Sequence, residues 1–209
     1  MHGRKQGMHG QVRAFFSVGA LCILALGCRS PIHRDNSGLV ITPGLGISNV
    51  LELSMTPQEI AHKTGDLIVK ELKTVGAWSF EVPSLGASWE QESKDQPPPG
   101  VYFHVAPGTQ LSHCFRGKVR GGLSFGGEVA VTREDVVRVF GPPRHVLREA
   151  IVLSKNADEL REWATRGEPY ALQNPVTGTE TVIYPTQGIH FGLHSNAVVV
   201  VNVFRAARK

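Results

Sequence analysis

Apolar and polar residues alternate most regularly in the last third of the chain. The segment 189–194 alternates and is followed by Ser195-Asn196 and then by the run AVVVVNVF. Two β-prone segments joined by a short polar pair predict a β-hairpin. Enrichment in β-branched and aromatic residues predicts further strands at 38–43, 145–153 and 179–184.

Two segments carry the signature of a helix N-terminus. Thr56 and Thr132 each precede an acidic residue by three positions, which is the spacing of a capping box. Glycine follows each threonine at the same distance, as Gly65 and Gly141. The first apolar face continues to Leu72, so Gly65 either ends this helix or is tolerated inside it at a cost of about 1 kcal/mol.

The second of these segments is rich in valine and resembles a strand in composition alone. Its cap, and the Gly-Pro-Pro sequence that begins at Gly141, favour a short helix instead. A third helix is predicted at 157–166, with Asn156 as its cap and Gly167 after it. The polar, proline-rich stretch 90–100 is typical of a surface loop.

These elements define the predicted fold class and its extent. Short capped helices followed by antiparallel strands are typical of an α+β domain with a small sheet. We expect residues 38–209 to form a single domain. The recurring cap leaves open an internal duplication, with repeats at 47–125 and 126–209.

The N-terminus has a different pattern. Three basic residues are its only charges, and the 14 residues 14–27 carry no charge. A bilayer core requires about 20 apolar residues in a helix, so this run is short for a membrane span. The basic start, short apolar run and small residues predict a secretory signal peptide over residues 1–27.

The end of this signal resembles the lipobox of bacterial lipoproteins, in the sequence Leu24-Ala25-Leu26-Gly27-Cys28. The resemblance implies cleavage between Gly27 and Cys28, a lipid on Cys28 and a polar tether over 28–37. The order Ala25-Leu26 departs from the commonest lipobox, and it also fits ordinary secretion. Arg29 stands where lipoproteins retained at the inner membrane carry aspartate, which implies the outer membrane.

A second resemblance covers residues 126–209. A capped helix, the sequence FGPP, a strand, YPTQGIHF and VVVVNVF follow in the order seen in SmpA/OmlA-type periplasmic lipoprotein domains, which are grouped with the β-lactamase-inhibitor-like fold. The predicted helix at 157–166 departs from the compact family unit. The resemblance implies a non-catalytic module of the cell envelope that binds or helps to assemble other proteins, or an inhibitor-like module that binds an enzyme.

The charge and the cysteine content limit the classes of binding partner and the disulfides that we expect. Loss of residues 1–27 would leave 19 basic and 18 acidic residues, so the sequence predicts no nucleic-acid partner. The expected partners are a membrane, through the lipid on Cys28, and a protein of the envelope. With Cys22 removed and Cys28 acylated, Cys114 would remain alone, and no internal disulfide is expected.

One sequence motif suggests a catalytic alternative. Residues 122–126 read G-x-S-x-G, the pattern that places a nucleophilic serine between a strand and a helix in serine hydrolases. Ser124 would then act with Asp158 and with His190 or His194. The following residues GEVAV favour an extended segment over a helix, so a glycine-rich hairpin is the preferred interpretation.

Metal and cofactor sites are not predicted. His190 and His194 would share one face of a strand but lie about 13 Å apart, at ~3.3 Å per residue. His104, His113 and Cys114 lack the spacing of a zinc motif. No P-loop and no dinucleotide-binding glycine pattern occurs. Glu90 and Glu92, beside Trp89, are expected in a solvated acidic segment.

Overall fold

The computed structural model of the chain describes residues 37–105, 114–148 and 157–207. Among these residues the elements are, in chain order, β1 (Val40–Thr42), β2 (Gly46–Ile47), β3 (Leu51–Glu52), α1 (Pro57–Thr64), β4 (Ile68–Leu72), β5 (Ala77–Val82), β6 (Ala87–Gln91), β7 (Gly100–His104), β8 (Lys118–Val119), β9 (Leu123–Ser124), α2 (Arg133–Phe140), β10 (His145–Arg148), α3 (Ala157–Arg166), β11 (Tyr170–Asn174), β12 (Thr179–Tyr184), β13 (Ile189–His194) and β14 (Ala197–Phe204). The predicted α+β class is therefore confirmed.

The strands form two sheets, and the larger one is not the small antiparallel sheet that the sequence predicted. It has nine strands in the order β10-β11-β12-β13-β14-β7-β6-β5-β4. All its neighbours are antiparallel except β10 and β11. The predicted sheet was too small because the prediction missed β4 to β7. The smaller sheet has the order β3-β2-β1-β8-β9.

Two antiparallel meanders build the large sheet. The first meander is β4–β7 and the second is β11–β14, and each connects neighbouring strands in chain order. They meet where β14 pairs with β7, with Val201 opposite Phe103. A capping-box helix stands before each meander, since α1 precedes β4 and α2 precedes β10 and β11.

The first helix is shorter than its apolar face suggested. It ends at Gly65, which adopts φ +78° and donates its N–H to the Ala61 carbonyl. This left-handed conformation is readily available to glycine and stops the helix. Ile68 and Val69 then pair with β5 instead of continuing the helix.

The other local predictions agree closely with the structure. Helices α2 and α3, and strands β12, β13 and β14, begin and end where the pattern placed them. Ser195 and Asn196 form the hairpin turn with φ +47° and +69°, as a two-residue I′ turn requires. β10 ends at Arg148, and the rest of the predicted strand 145–153 lies outside the described residues.

One hydrophobic core lies between the two sheets. It joins Ile60 of α1 and Val136 of α2 to Ile41 of the small sheet and to the inward side of the large sheet. Its largest fully buried side chains are aromatic, and full burial of a phenylalanine contributes about 1.5–3 kcal/mol of transfer free energy. These large side chains are Phe80, Trp89, Phe103, Phe115, Tyr184 and Phe191.

A second, smaller cluster lies on the opposite side of the large sheet. Helix α3 places Leu160 and Trp163 against Tyr170, Leu172 and Ile183 of the second meander. This helix therefore covers part of the outer side of the sheet. Within the described residues, no helix combines the length and the apolar character that crossing a bilayer requires.

Candidate functional site

The outer side of the first meander is where polar side chains gather. Along β5, β6 and β7 the inward residues, such as Phe80, Trp89 and Phe103, are buried in the main core. Successive side chains of a strand point to opposite faces, so the residues between them point outward. We define the open face by five of these outward residues, namely Glu81, Ser88, Glu90, Tyr102 and His104.

The strand register fixes how these side chains are arranged. Ser88 lies between its two direct neighbours, Glu81 on β5 and Tyr102 on β7. Glu90 is diagonal to Glu81, and that relationship places their Cα atoms roughly 7–8 Å apart. The Ser88 Oγ lies 2.8 Å from the His104 Nε2. The open face is therefore one continuous polar surface.

The two carboxylates are not neutralised within the described part of the chain. The ion pairs there involve other acidic residues, and neither Glu81 nor Glu90 takes part in one. Glu90 is exposed, as is His104, and Tyr102 is 41% exposed. The open face thus carries two carboxylates near its centre, of which Glu90 is exposed, and the exposed Lys70 of β4 lies at its edge, opposite Ser79.

Tyr102 is held from the side of the second meander. Asn202, which is 4% exposed, lies opposite it on β14 and shares a side-chain hydrogen bond with its hydroxyl. Burial raises the pKa of Tyr102 above its usual value of 10.0, although this hydrogen bond acts in the other direction. The phenol therefore stays neutral in the physiological range.

His190 continues the same row of side chains. It lies opposite Asn202, with the rings of Tyr102 and Phe204 each 6.0 Å from its ring. Burial lowers the pKa of His190 from 6.5 to about 4, so the imidazole is neutral at pH 7. His190 therefore adds to the aromatic surroundings of Tyr102 and carries no charge there.

The structure does not bring Ser124, Asp158 and His190 together. Ser124 is exposed on β9 between the buried Leu123 and Phe125, so it points away from the core on the small-sheet side. His190 points out of the opposite side of the molecule, because its neighbours in β13 face the core. Asp158 lies in the first turn of α3, with its carboxylate accepting a hydrogen bond from Arg161 at 2.9 Å.

The motif around Ser124 also lacks the expected elbow. Residues 118–124 form the β8–β9 hairpin, and the next helix, α2, begins only at Arg133. A nucleophile elbow needs a helix directly after the serine. His194, the other proposed partner, is exposed at the end of β13, opposite Thr179 on β12.

The histidine and cysteine positions form no metal centre in the described residues, where no three His, Cys, Asp or Glu side chains converge. Cys114 is half-buried, and His113 lies outside the described residues, as do Gly27 and Cys28. A cleft that includes Val105 and Val131 has a volume of about 10 Å³, which is room for about one water molecule. The open face, and not a metal centre or a deep pocket, is therefore the candidate site among the described residues.

Sequence reasoning missed this face for a specific reason. The polar, proline-rich composition of 90–100 predicts a solvated loop at Glu90, but Glu90 lies in β6 and pairs with Ser79. The alternation in AWSFEV and ASWEQ, residues 77–82 and 87–91, was the available signal for these two strands.

Comparison with known protein families, with curated proteins and with solved structures found no match.

Proposed function

We propose that the chain is an exported lipoprotein, anchored through a lipid on Cys28, whose folded domain is a binding or assembly-accessory module of the cell envelope. The basic, apolar and lipobox segments over residues 1–28 support the anchor. Arg29 in the position after the lipidated cysteine favours the outer membrane. A tether over 28–37 would let the domain reach neighbours close to the membrane surface.

The observation that carries the binding role is the open face. Its exposed aromatic ring, that of Tyr102 opposite Asn202, resembles the tyrosine anchors on which protein interfaces depend. Glu81 and Glu90 have no ion-pair partner in the described residues, so a complementary partner would supply a positive charge. We therefore assign the open face to a protein segment that places a lysine or arginine beside Tyr102.

Site-specific crosslinking tests this assignment. A photoreactive phenylalanine analogue at position 102 of the full-length chain, in the native envelope, should capture a protein at a peptide containing lysine or arginine. The same analogue at Val176, which is 84% exposed on the β11–β12 hairpin, is the matched control and should not give this adduct. Glu81→Lys with Glu90→Lys should abolish capture, and a lysine-to-glutamate change in the captured peptide should restore it.

Two results would contradict the proposal. One is an adduct at position 102 that survives the double charge reversal, since the partner would then not depend on the carboxylates. The other is labelling of lipid alone at position 102.

Fractionation of the same cells tests the proposed location, because the anchored protein should sediment with the outer membrane.

The topology supports a second candidate function. Each meander follows a capping-box helix, and their last strands pair at the centre of the sheet. This arrangement supports an internal duplication, with repeats over 47–125 and 126–209, as the resemblance to inhibitor-like domains implies. An inhibitor-like module would bind an exported enzyme, so a captured hydrolase whose activity falls on adding the purified domain would favour this candidate. Unchanged activity would leave the assembly-accessory role.

A further inference from the structure

A serine and a histidine form a direct hydrogen bond at the edge of the open face. The Ser88 Oγ lies 2.8 Å from the His104 Nε2, the distance at which a base can take a proton from a hydroxyl. Ser88 is half-buried and His104 is exposed, so a small molecule in solution can reach the pair. The binding role proposed above does not require this contact.

The sheet holds the two side chains in place. Ser88 lies on β6, which is paired on both sides by β5 and β7. His104 lies two residues after Tyr102, the direct partner of Ser88, so it is on the same face and diagonal to the serine. The His104 N–H donates to the Gly86 carbonyl at 2.8 Å, which fixes the end of β7 beside the start of β6. Sites built on strands hold their geometry better than sites on loops.

The charges around the pair suit proton transfer. Although part of the His104 side chain is exposed, the protein packed around the rest of its ring desolvates it and lowers its pKa below the ordinary value of 6.5, and the charge of Glu81 acts in the opposite direction. The imidazole is thus mostly neutral at pH 7, and its Nε2 can accept the serine proton when the other ring proton is on Nδ1. Glu81, directly opposite Ser88, favours the imidazolium that such a transfer produces.

We propose that Ser88 is a nucleophile activated by His104 and that it accepts an acyl group from activated carboxylic esters. The Ser88 oxygen forms a bond to the ester carbonyl carbon, and the bond between that carbon and the leaving oxygen breaks. The serine proton passes to Nε2 of His104 and then to the leaving alcohol or phenol. The product is one acyl-serine per chain, and the pair acts by general-base catalysis.

The test uses p-nitrophenyl acetate with the full-length chain in detergent. We expect release of about one equivalent of p-nitrophenol per chain. Mass spectrometry should place one acetyl group on the peptide that contains Ser88. His104→Gln should slow acetylation by about 100-fold or more, the usual range of general-base assistance. Ser88→Ala should remove the adduct, whereas Ser124→Ala, at the G-x-S-x-G motif, should react like the unaltered chain.

The pH dependence of acetylation distinguishes a serine activated by His104 from a serine that reacts only because it is exposed. The acetylation rate should rise through a midpoint below pH 6.5 and then level off, and this step should be missing in His104→Gln. Acetylation spread over lysines, an equal rate in His104→Gln, or a rate that rises with hydroxide alone would each overturn the proposal. Circular dichroism and the unfolding midpoint of each variant show whether a lost reaction reflects lost structure, and Ser88→Thr then provides a second, folded variant. We expect slower acetylation from the hindered threonine hydroxyl.

Discussion

The Nε atom of Arg133 lies 2.9 Å from Oε2 of Glu180 and 3.0 Å from Oε1. The contact joins the first turn of α2 to β12, and Gln173 donates a further hydrogen bond to the same carboxylate at 3.1 Å. The side chains are 30% and 13% exposed, so solvent screens this pair less than the other ion pairs of the helices. It fixes α2 against the second meander.

Removal of this ion pair should lower stability measurably. We expect Arg133→Ala to reduce the free energy of unfolding by about 1.5–3 kcal/mol, the range for hydrogen bonds to charged groups. Urea denaturation of the unaltered chain and of Arg133→Ala measures this difference. Arg161→Ala is the matched control, because its pair with Asp158 is 69% and 95% exposed and should contribute below about 0.5 kcal/mol. Equal losses in both variants would show that burial does not strengthen the Arg133 pair.

The capping box of α2 should contribute independently. The Thr132 hydroxyl accepts the Asp135 N–H, and the Thr132 N–H donates to the Asp135 carboxylate at 2.9 Å. Thr132→Ala should cost about 1 kcal/mol in urea unfolding, while Thr132→Ser should keep most of the stability. A serine variant as unstable as alanine would show that the lost methyl group, not the cap, matters.

The same cap predicts a response to acid. Hydrogen bonds from Thr132 lower the pKa of Asp135 below its ordinary value of 3.8. A lowered folded-state pKa means that the carboxylate stabilises the fold above pH 3.8 and loses this contribution as pH falls towards the folded value. Asp135→Asn should therefore show a smaller drop in unfolding free energy below pH 3.8 than the unaltered chain. A parallel drop in both proteins would contradict this role.

His190 should act on stability over a higher pH window. Its folded pKa is about 4, against 6.5 for an unburied imidazole, so the unfolded chain binds more protons between these values. The free energy of unfolding should therefore fall as pH decreases from 6.5 to 4. His104 contributes with the same sign. His190→Asn should make the free energy of unfolding depend less on pH in this window. An NMR titration in which the His190 ring resonances shift near pH 6.5 would refute this prediction.

The anchor prediction concerns residues outside the described structure and is tested by mass. Expressed from its own start, the chain should lose residues 1–27, gain the mass of an acylated Cys28 and enter the detergent phase. Cys28→Ser should remain unacylated and aqueous. An unmodified, aqueous protein that begins at Cys28 would instead indicate ordinary secretion, and the partner search would move away from the membrane.

Some features were readable from sequence because their causes lie within a few residues. The Thr132 cap and the Gly141 stop define α2, and the Ser195-Asn196 turn defines the hairpin of β13 and β14. The first helix shows the limit of such signals. Its apolar face runs on to Leu72, yet Gly65 ends the helix in the left-handed conformation, and Ile68 and Val69 pair with β5 in a strand in which both side chains stay partly exposed.

The candidate site depended on information that no single segment contains. The motif at Ser124 is local, so it could be recognised from the sequence. Its proposed partners are distant, because His190 lies across the core and Asp158 lies on α3. Ser88 and His104 belong to no motif, and only the β6–β7 register makes them neighbours.

The sequence by itself determined the ends of α2 and α3, the tight turn, the α+β class and the signal-like N-terminus, since short-range hydrogen bonds and backbone preferences encode them. The tertiary structure decided that β7 pairs with β14, and which side of the first meander the other described residues leave uncovered. Strand pairing between distant segments depends on the shape and apolar pattern of both partners at once. The burial of Phe103 against the core is what turned Tyr102 and His104 outward.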